Sequence, residues 1–122
     1  MIKVPPLQRG KLAEKAALAY LKKHGLKELA CNFNSRFGEI DLIMLDKTTI
    51  VFIEVRSRAN NRFMTAIETI DNRKIQKILR TSHHFLQQQS DSFEACRFDI
   101  VTLTGNIRSP RIDWIKNAFT DD

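Results

Sequence analysis

Glycine and proline are scarce in this chain, 4 and 3 of its 122 residues, which excludes a flexible linker, a disordered tract or a low-complexity segment. One folded domain spanning residues 1–122 is therefore expected, long enough to bury about two thirds of the surface its unfolded chain exposes. Cysteine is scarcer still. Cys31 and Cys96 are the only two, far apart and without a CxxC or ligand-like spacing, so they read as reduced, mostly buried thiols of a cytoplasmic protein. Long apolar runs are missing too. Ala16 to Leu21 is bracketed by Glu14, Lys15, Lys22 and Lys23 and has neither the length of a membrane span nor a cleavage site, so neither export nor a membrane anchor is expected. The chain lacks a Ser-His-Asp arrangement, a phosphate-binding glycine loop and zinc spacing. His83 and His84 are adjacent on an expected helix and point about 100° apart, which suits surface positions and not a shared metal.

Acidic residues are the minority charge: 14 Asp and Glu face 20 Lys and Arg, for a net charge of +6 and a pI of about 9.6. Such a balance fits a polyanionic partner. The placement of the excess says more than its size. Arg56, Arg58, Arg62, Arg73, Lys74, Lys77 and Arg80 fall within one stretch that only Glu54, Glu68 and Asp71 offset. A solvated basic face would explain the cluster equally simply, were it not beside an acidic pair that calls for a cation.

That pair lies in Gly38 to Arg58, GEIDLIMLDKTTIVFIEVRSR, which reads as a β-hairpin of two strands buried on both faces. A loop centred between Lys47 and Thr48 pairs Asp46 with Thr49 and Leu45 with Ile50, and continuing down the ladder sets Asp41 opposite Glu54. One face then carries Glu39, Asp41, Ile43 and Leu45 with Ile50, Phe52, Glu54, Arg56 and Arg58. The other is wholly apolar: Ile40, Leu42, Met44, Val51, Ile53 and Val55. Two carboxylates directly opposite destabilise a ladder, and near a core one of them takes up a proton unless a cation lies between them. A divalent metal resolves the conflict. Arg56 falls opposite Glu39 in the same register, so a structural ion pair between those two is expected as readily as a catalytic use of Arg56.

Around the hairpin, the helical period from Gly10 to His24 stripes Ala13, Ala16, Ala17, Tyr20 and Leu21, with Gly25 as the stop. Glu14 sits at the edge of that stripe. Leu26 to Phe33 reads as a first strand, and Asn34 to Phe37 as the turn into the hairpin, with Gly38 giving the backbone a conformation that a side chain would obstruct. Ala59 to Arg62 is a small basic loop suited to a nucleic-acid backbone. Asp71 is a plausible N-cap for a second helix to about Gln88 that turns Ile75, Ile78, Leu79, Ser82, Phe85 and Leu86 to the core. Lys74 and Lys77 flank this stripe, and Arg73, Gln76 and Arg80 point outward. Phe93 to Leu103 and Ile112 to Ile115 are strands, and Asn117 to Phe119 a terminal turn. The expected architecture is α/β, a central mixed sheet flanked by one helix on each face.

An acid in one strand, E-x-basic in the next and a basic helix beyond suit hydrolysis of a phosphodiester. Asp41, Glu54 and the Val55 carbonyl form an all-oxygen ligand set, which favours Mg²⁺ or Mn²⁺ over zinc. At these residues the sequence resembles a known family. GEIDLI (Gly38–Ile43), FIEVRSR (Phe52–Arg58), Lys74, RFDIV (Arg97–Val101) and NAF (Asn117–Phe119) together resemble the YraN-like bacterial proteins of uncharacterised function. That family in turn looks like the PD-(D/E)XK nuclease superfamily, closest to Holliday-junction resolvases. The resemblance runs from about Gly10 to Phe119. It implies a restriction-endonuclease-like fold, Asp41 and Glu54 as metal ligands, and Glu14 as the first-helix acid that reaches the metal through water.

The superfamily lysine of E-x-K is Arg56 here, and an arginine that keeps its proton cannot act as a general base. Lys74 is the alternative for that role. The expectation is a metal-dependent nuclease acting on DNA before RNA, branched or single-stranded, with Asp41, Glu54, Arg56, Glu14 and Lys74 catalytic and Arg58, Arg62, Arg73 and Lys77 binding nucleic acid. The other readings are a non-catalytic nucleic-acid-binding module that kept the fold and basic face, and an assembly protein whose acidic pair is structural. A two-fold substrate such as a junction would suit a homodimer.

Overall fold

In the computed structural model, which describes residues 4–60, 70–89 and 93–120, the expected hairpin forms the middle of a five-stranded sheet. Strands β1 (Lys27–Ser35), β2 (Gly38–Asp46), β3 (Thr49–Arg58), β4 (Ala95–Thr104) and β5 (Arg111–Phe119) lie side by side in chain order. Every neighbouring pair is antiparallel except β3 and β4, which are parallel. A parallel pair needs a crossover. Helix α2 (Asn72–Gln88) lies in that connection, and helix α1 (Pro6–Lys23) precedes the sheet.

The pleat of β3 divides the core into two layers. Val51 and Ile53 join Leu42, Met44, Val101 and Leu103 beneath Ala13, Ala17 and Leu21 of α1. Ile50 and Phe52 join Ile40, Ile43 and Phe98 beneath Ile78, Leu79 and Phe85 of α2. One helix therefore covers each face, as the two-sided apolar hairpin requires. Together the elements make a single α/β domain compatible with a restriction-endonuclease-like fold.

The local signals for helix ends held. The Asp71 side chain accepts the Lys74 N–H at 2.8 Å as the N-cap of α2, and Gly25 takes φ +95° just after α1. Gly38 has φ +151°, although a Cβ there would find ordinary contact distances of 3.5 and 3.6 Å to Lys77 and Thr81. Its glycine is thus required by the backbone and not by lack of space.

Four expectations are corrected. Helix α1 begins at Pro6 and not at Gly10. Strand β5 runs on through Asn117 to Phe119, where a turn was expected: Asn117 takes φ +53° within the strand, at a register shift against β4. Such an irregularity spares a strand that one left-handed residue would otherwise end. Cys31 and Cys96 form no disulfide, and both lie exposed where buried thiols were expected. Ile40, expected in the layer of Leu42 and Met44, packs in the opposite one with Ile43, so the alternation of β2 breaks at Asp41.

Candidate metal and phosphate site

The break at Asp41 builds the site. Backbone pairing of β2 with β3 follows the expected register from Asp46–Thr49 to Leu42–Ile53 and stops there. At the next step the Asp41 carboxylate enters the ladder itself, its Oδ2 accepting the Val55 N–H at 2.8 Å. Asp41 and Glu54 thereby meet at the fork of the two strands, within hydrogen-bonding reach of each other.

Glu54 is 6% exposed, and its Oε2 is buried without any hydrogen-bond partner. The two cations beside it stand off: Arg56 Nε lies 3.7 Å and Lys74 Nζ 3.8 Å from Oε1. Arg56 Nε is itself buried without a hydrogen bond. Burial first, then the charge of Asp41, push the Glu54 carboxyl up to about 8, against the pull of Lys74 and Arg56. Near neutral pH, with no cation present, Glu54 keeps its proton.

Glu14 joins from α1. Its carboxyl reaches the side chains of Asn32 and Asp41, and burial, followed by the charge of Asp41, raises its pKa. Asn32 was not singled out in the sequence. Its signal was an asparagine inside an expected strand, where asparagine is disfavoured, and it takes φ +52° there. Among the described residues no three His, Cys, Asp or Glu side chains converge as a ready metal cluster. The donor set that fits a divalent ion is instead two carboxylates, Asp41 and Glu54, with backbone oxygen and water, and the orphaned Glu54 oxygen is the feature it would satisfy.

The basic residues divide into those at the fork and those outside it. Lys74, on the rim of α2, reaches Glu54 as closely as Arg56 does. Arg56 makes no ion pair with Glu39 among the described residues, contrary to the register-based expectation, because the strands part before that level. Arg56, Asp71, Arg73, Lys74 and Lys77 line an open cleft of about 450 Å³, and Arg73 and Lys77 are exposed. Arg58 lies at the end of β3, its carbonyl accepting the Gly105 N–H at 2.9 Å. Arg62 lies outside the described residues.

The model of the uncharacterised protein family UPF0102 matches residues 13–103. The chain belongs to that family. A UPF0102 protein of Pseudomonas aeruginosa (strain LESB58) is 46% identical over 114 residues, covering 91% of both chains. One from Psychromonas ingrahamii is 44% identical over 113 residues, 93% of this chain and 90% of its own. One from Pseudomonas putida (strain F1) is 41% identical over 121 residues, 98% of both. The YraN-like resemblance is thereby confirmed. The UPF0102 match contains Glu14, Asp41, Glu54, Arg56 and Lys74. No helix among the described residues is long and apolar enough to cross a membrane.

Proposed function

We propose that this UPF0102 protein is a divalent-metal-dependent nuclease that hydrolyses phosphodiester bonds of DNA, with branched or single-stranded DNA as its substrates. The observation that carries the reading is Glu54: a carboxylate 6% exposed, with one oxygen unpartnered, beside a second carboxylate. Burying a polar atom without a partner costs about 1–3 kcal/mol, a cost that a bound cation would remove.

Asp41, Glu54 and the Val55 carbonyl hold Mg²⁺ or Mn²⁺. Such an ion, when bound, would supply neutralisation of the charge that builds up on the phosphate and a lowered pKa for water. Arg56 and Lys74 stand on the basic side of Glu54, positioned to hold the non-bridging phosphate oxygens as a new P–O bond forms to water and an ester P–O bond breaks. Glu14 accepts a hydrogen bond from a water at the outer edge. Lys74, on the rim of α2, takes the part of the superfamily lysine, which an arginine at position 56 cannot fill as a general base. Arg58, Arg62, Arg73 and Lys77 bind flanking phosphates.

The arginine at position 56 is the one observation that favours a non-catalytic nucleic-acid-binding protein instead. Cleavage of DNA and RNA substrates in Mg²⁺ and in Mn²⁺ separates the two. The nuclease reading expects Asp41→Asn and Glu54→Gln to lose at least about a thousandfold in rate, several kcal/mol of transition-state stabilisation. Lys74→Ala should fall far below Arg56→Ala. Equal cleavage by wild type and Asp41→Asn sinks the reading, and equal rates for wild type and Lys74→Ala sink the role of Lys74.

A further inference from the structure

Helix α2 carries four basic residues, Arg73, Lys74, Lys77 and Arg80, and no carboxylate over its 17 residues. Its first turn holds Arg73 and Lys74, at the end where the helix dipole disfavours cations, with the N-cap Asp71 beside them. Arg73, Lys77, Arg80 and His84 follow one another at spacings of four, three and four, and so form a single stripe. Like charges at these spacings repel by about 0.2–0.5 kcal/mol a pair, a cost that no i,i+4 carboxylate offsets here. A merely solvated face would carry both signs. A stripe of one sign is built for an anion that extends along it.

The stripe starts at the Lys74 cleft and ends in a second one. There Arg36, Phe37, Arg80, His83, His84 and Gln87 line an open pocket of about 290 Å³ where the β1–β2 turn meets α2. The Arg36 guanidinium lies over the Phe37 ring at 4.9 Å, and His84 meets the same ring edge-on at 6.3 Å. Neither Arg36 nor Arg80 has a carboxylate partner among the described residues. A flat guanidinium backed by an aromatic ring is a stacking surface for a nucleobase, and a nearby arginine is a phosphate contact.

Resting on the nucleic-acid reading above, we infer that Arg36 and Phe37 form a stacking platform for an unpaired base of the flanking single strand, whose phosphate Arg80 holds. Ten residues of helix separate Lys74 from His84, about 15 Å. For a flank that keeps the stacked rise of a duplex strand, roughly 3.4 Å per nucleotide, the stacked base lies about four nucleotides from the cleaved phosphate, and fewer where the strand is extended. The substrate this describes is a duplex end or branch with a single-stranded flank.

The test is fluorescence-anisotropy binding in EDTA, where neither metal nor cleavage takes part. A blunt duplex is compared with the same duplex bearing an overhang of about five nucleotides. Wild type should bind the overhang form about tenfold more tightly. Arg36→Gln and Phe37→Leu should each lose most of that increment while holding the blunt duplex within about twofold. Arg80→Gln should weaken overhang binding and lower the salt slope by about one. Phe37 is half-buried, so Arg36→Gln, at an exposed position, decides the matter if Phe37→Leu melts early. Equal wild-type affinity for the two duplexes, or an increment kept by Arg36→Gln, overturns the platform alone. Absence of binding to either duplex overturns the nucleic-acid reading and the platform with it.

Discussion

Two carboxylates are buried in neighbouring central strands, and they are treated in opposite ways. Asp99 of β4 has no exposed surface and is fully furnished with donors. Arg97 Nε contacts both its oxygens at 3.2 Å, Trp114 Nε1 donates at 2.9 Å and the Asn117 N–H at 3.0 Å. Arg97 also reaches Asp46 at 2.9 Å, so the network ties the hairpin turn to β4 and β5. Glu54 of β3 is almost as buried, yet one of its oxygens has no partner and its cations stand off at 3.7 and 3.8 Å. A satisfied buried carboxylate holds a fold together. An unsatisfied one marks a candidate site, and it is the basis of the proposed metal centre.

Truncation gives the largest expected difference between them. Asp99→Ala strands Arg97 and two further donors and should cost about 3–5 kcal/mol in urea denaturation. Glu54→Gln, without metal at pH 8, should be neutral or stabilising. A comparable loss at both positions would erase the distinction.

The pH dependence comes next. Glu54 titrates at about 8 in the folded chain against an ordinary 4.5, so between those values the folded state holds a proton that the unfolded state has released. Metal-free stability from this group is therefore full below about pH 4.5 and lost as pH rises through about 8, by on the order of 4 kcal/mol at most. Glu54→Gln should flatten that slope. Asp41→Asn, which keeps an acceptor for the Val55 N–H, should raise the metal-free melting temperature by about 3–6 °C and make it insensitive to Mg²⁺. A wild-type melting temperature that does not fall over this range would mean that Glu54 is not held protonated in the fold.

The smallest effect sharpens the other side. Trp114→Phe removes one of the donors to Asp99 and leaves the rest, so chemical denaturation should show a loss of only about 1 kcal/mol. A loss as large as that of Asp99→Ala would mean the indole supports the strand by packing and not through its hydrogen bond.

Much of this was legible in the sequence because it is periodic or adjacent. The pairing of Asp46 with Thr49 and Leu45 with Ile50 followed from alternation and a two-residue loop, and the core-facing side of α2 from its 3.6-residue period. What escaped depends on contacts between distant segments. The turn of Asp41 out of the alternation is driven by the Val55 N–H, and the left-handed Asn32 and Asn117 sit inside strands, where a local reading expects extended backbone. Cys31 was expected inside on its hydrophobicity, but it lies exposed on edge strand β1 with its thiol on Glu28 at 3.2 Å. Asp99 was visible only as part of a motif, since its donors Trp114 and Asn117 come 15 and 18 residues later. Lys74 was placed on the rim by helix geometry, but its approach to Glu54 needed the fold.

Glu54, protonated beside Asp41 in the metal-free protein, should give up its proton when a divalent cation binds between the two carboxyl groups. Isothermal titration calorimetry of Mg²⁺ and Mn²⁺ at pH 7, in two buffers of different ionisation enthalpy, tests it directly. Wild type should bind with release of about one proton per ion, and Glu54→Gln should not bind. Binding without proton release, or binding that persists unchanged in Glu54→Gln, would contradict it.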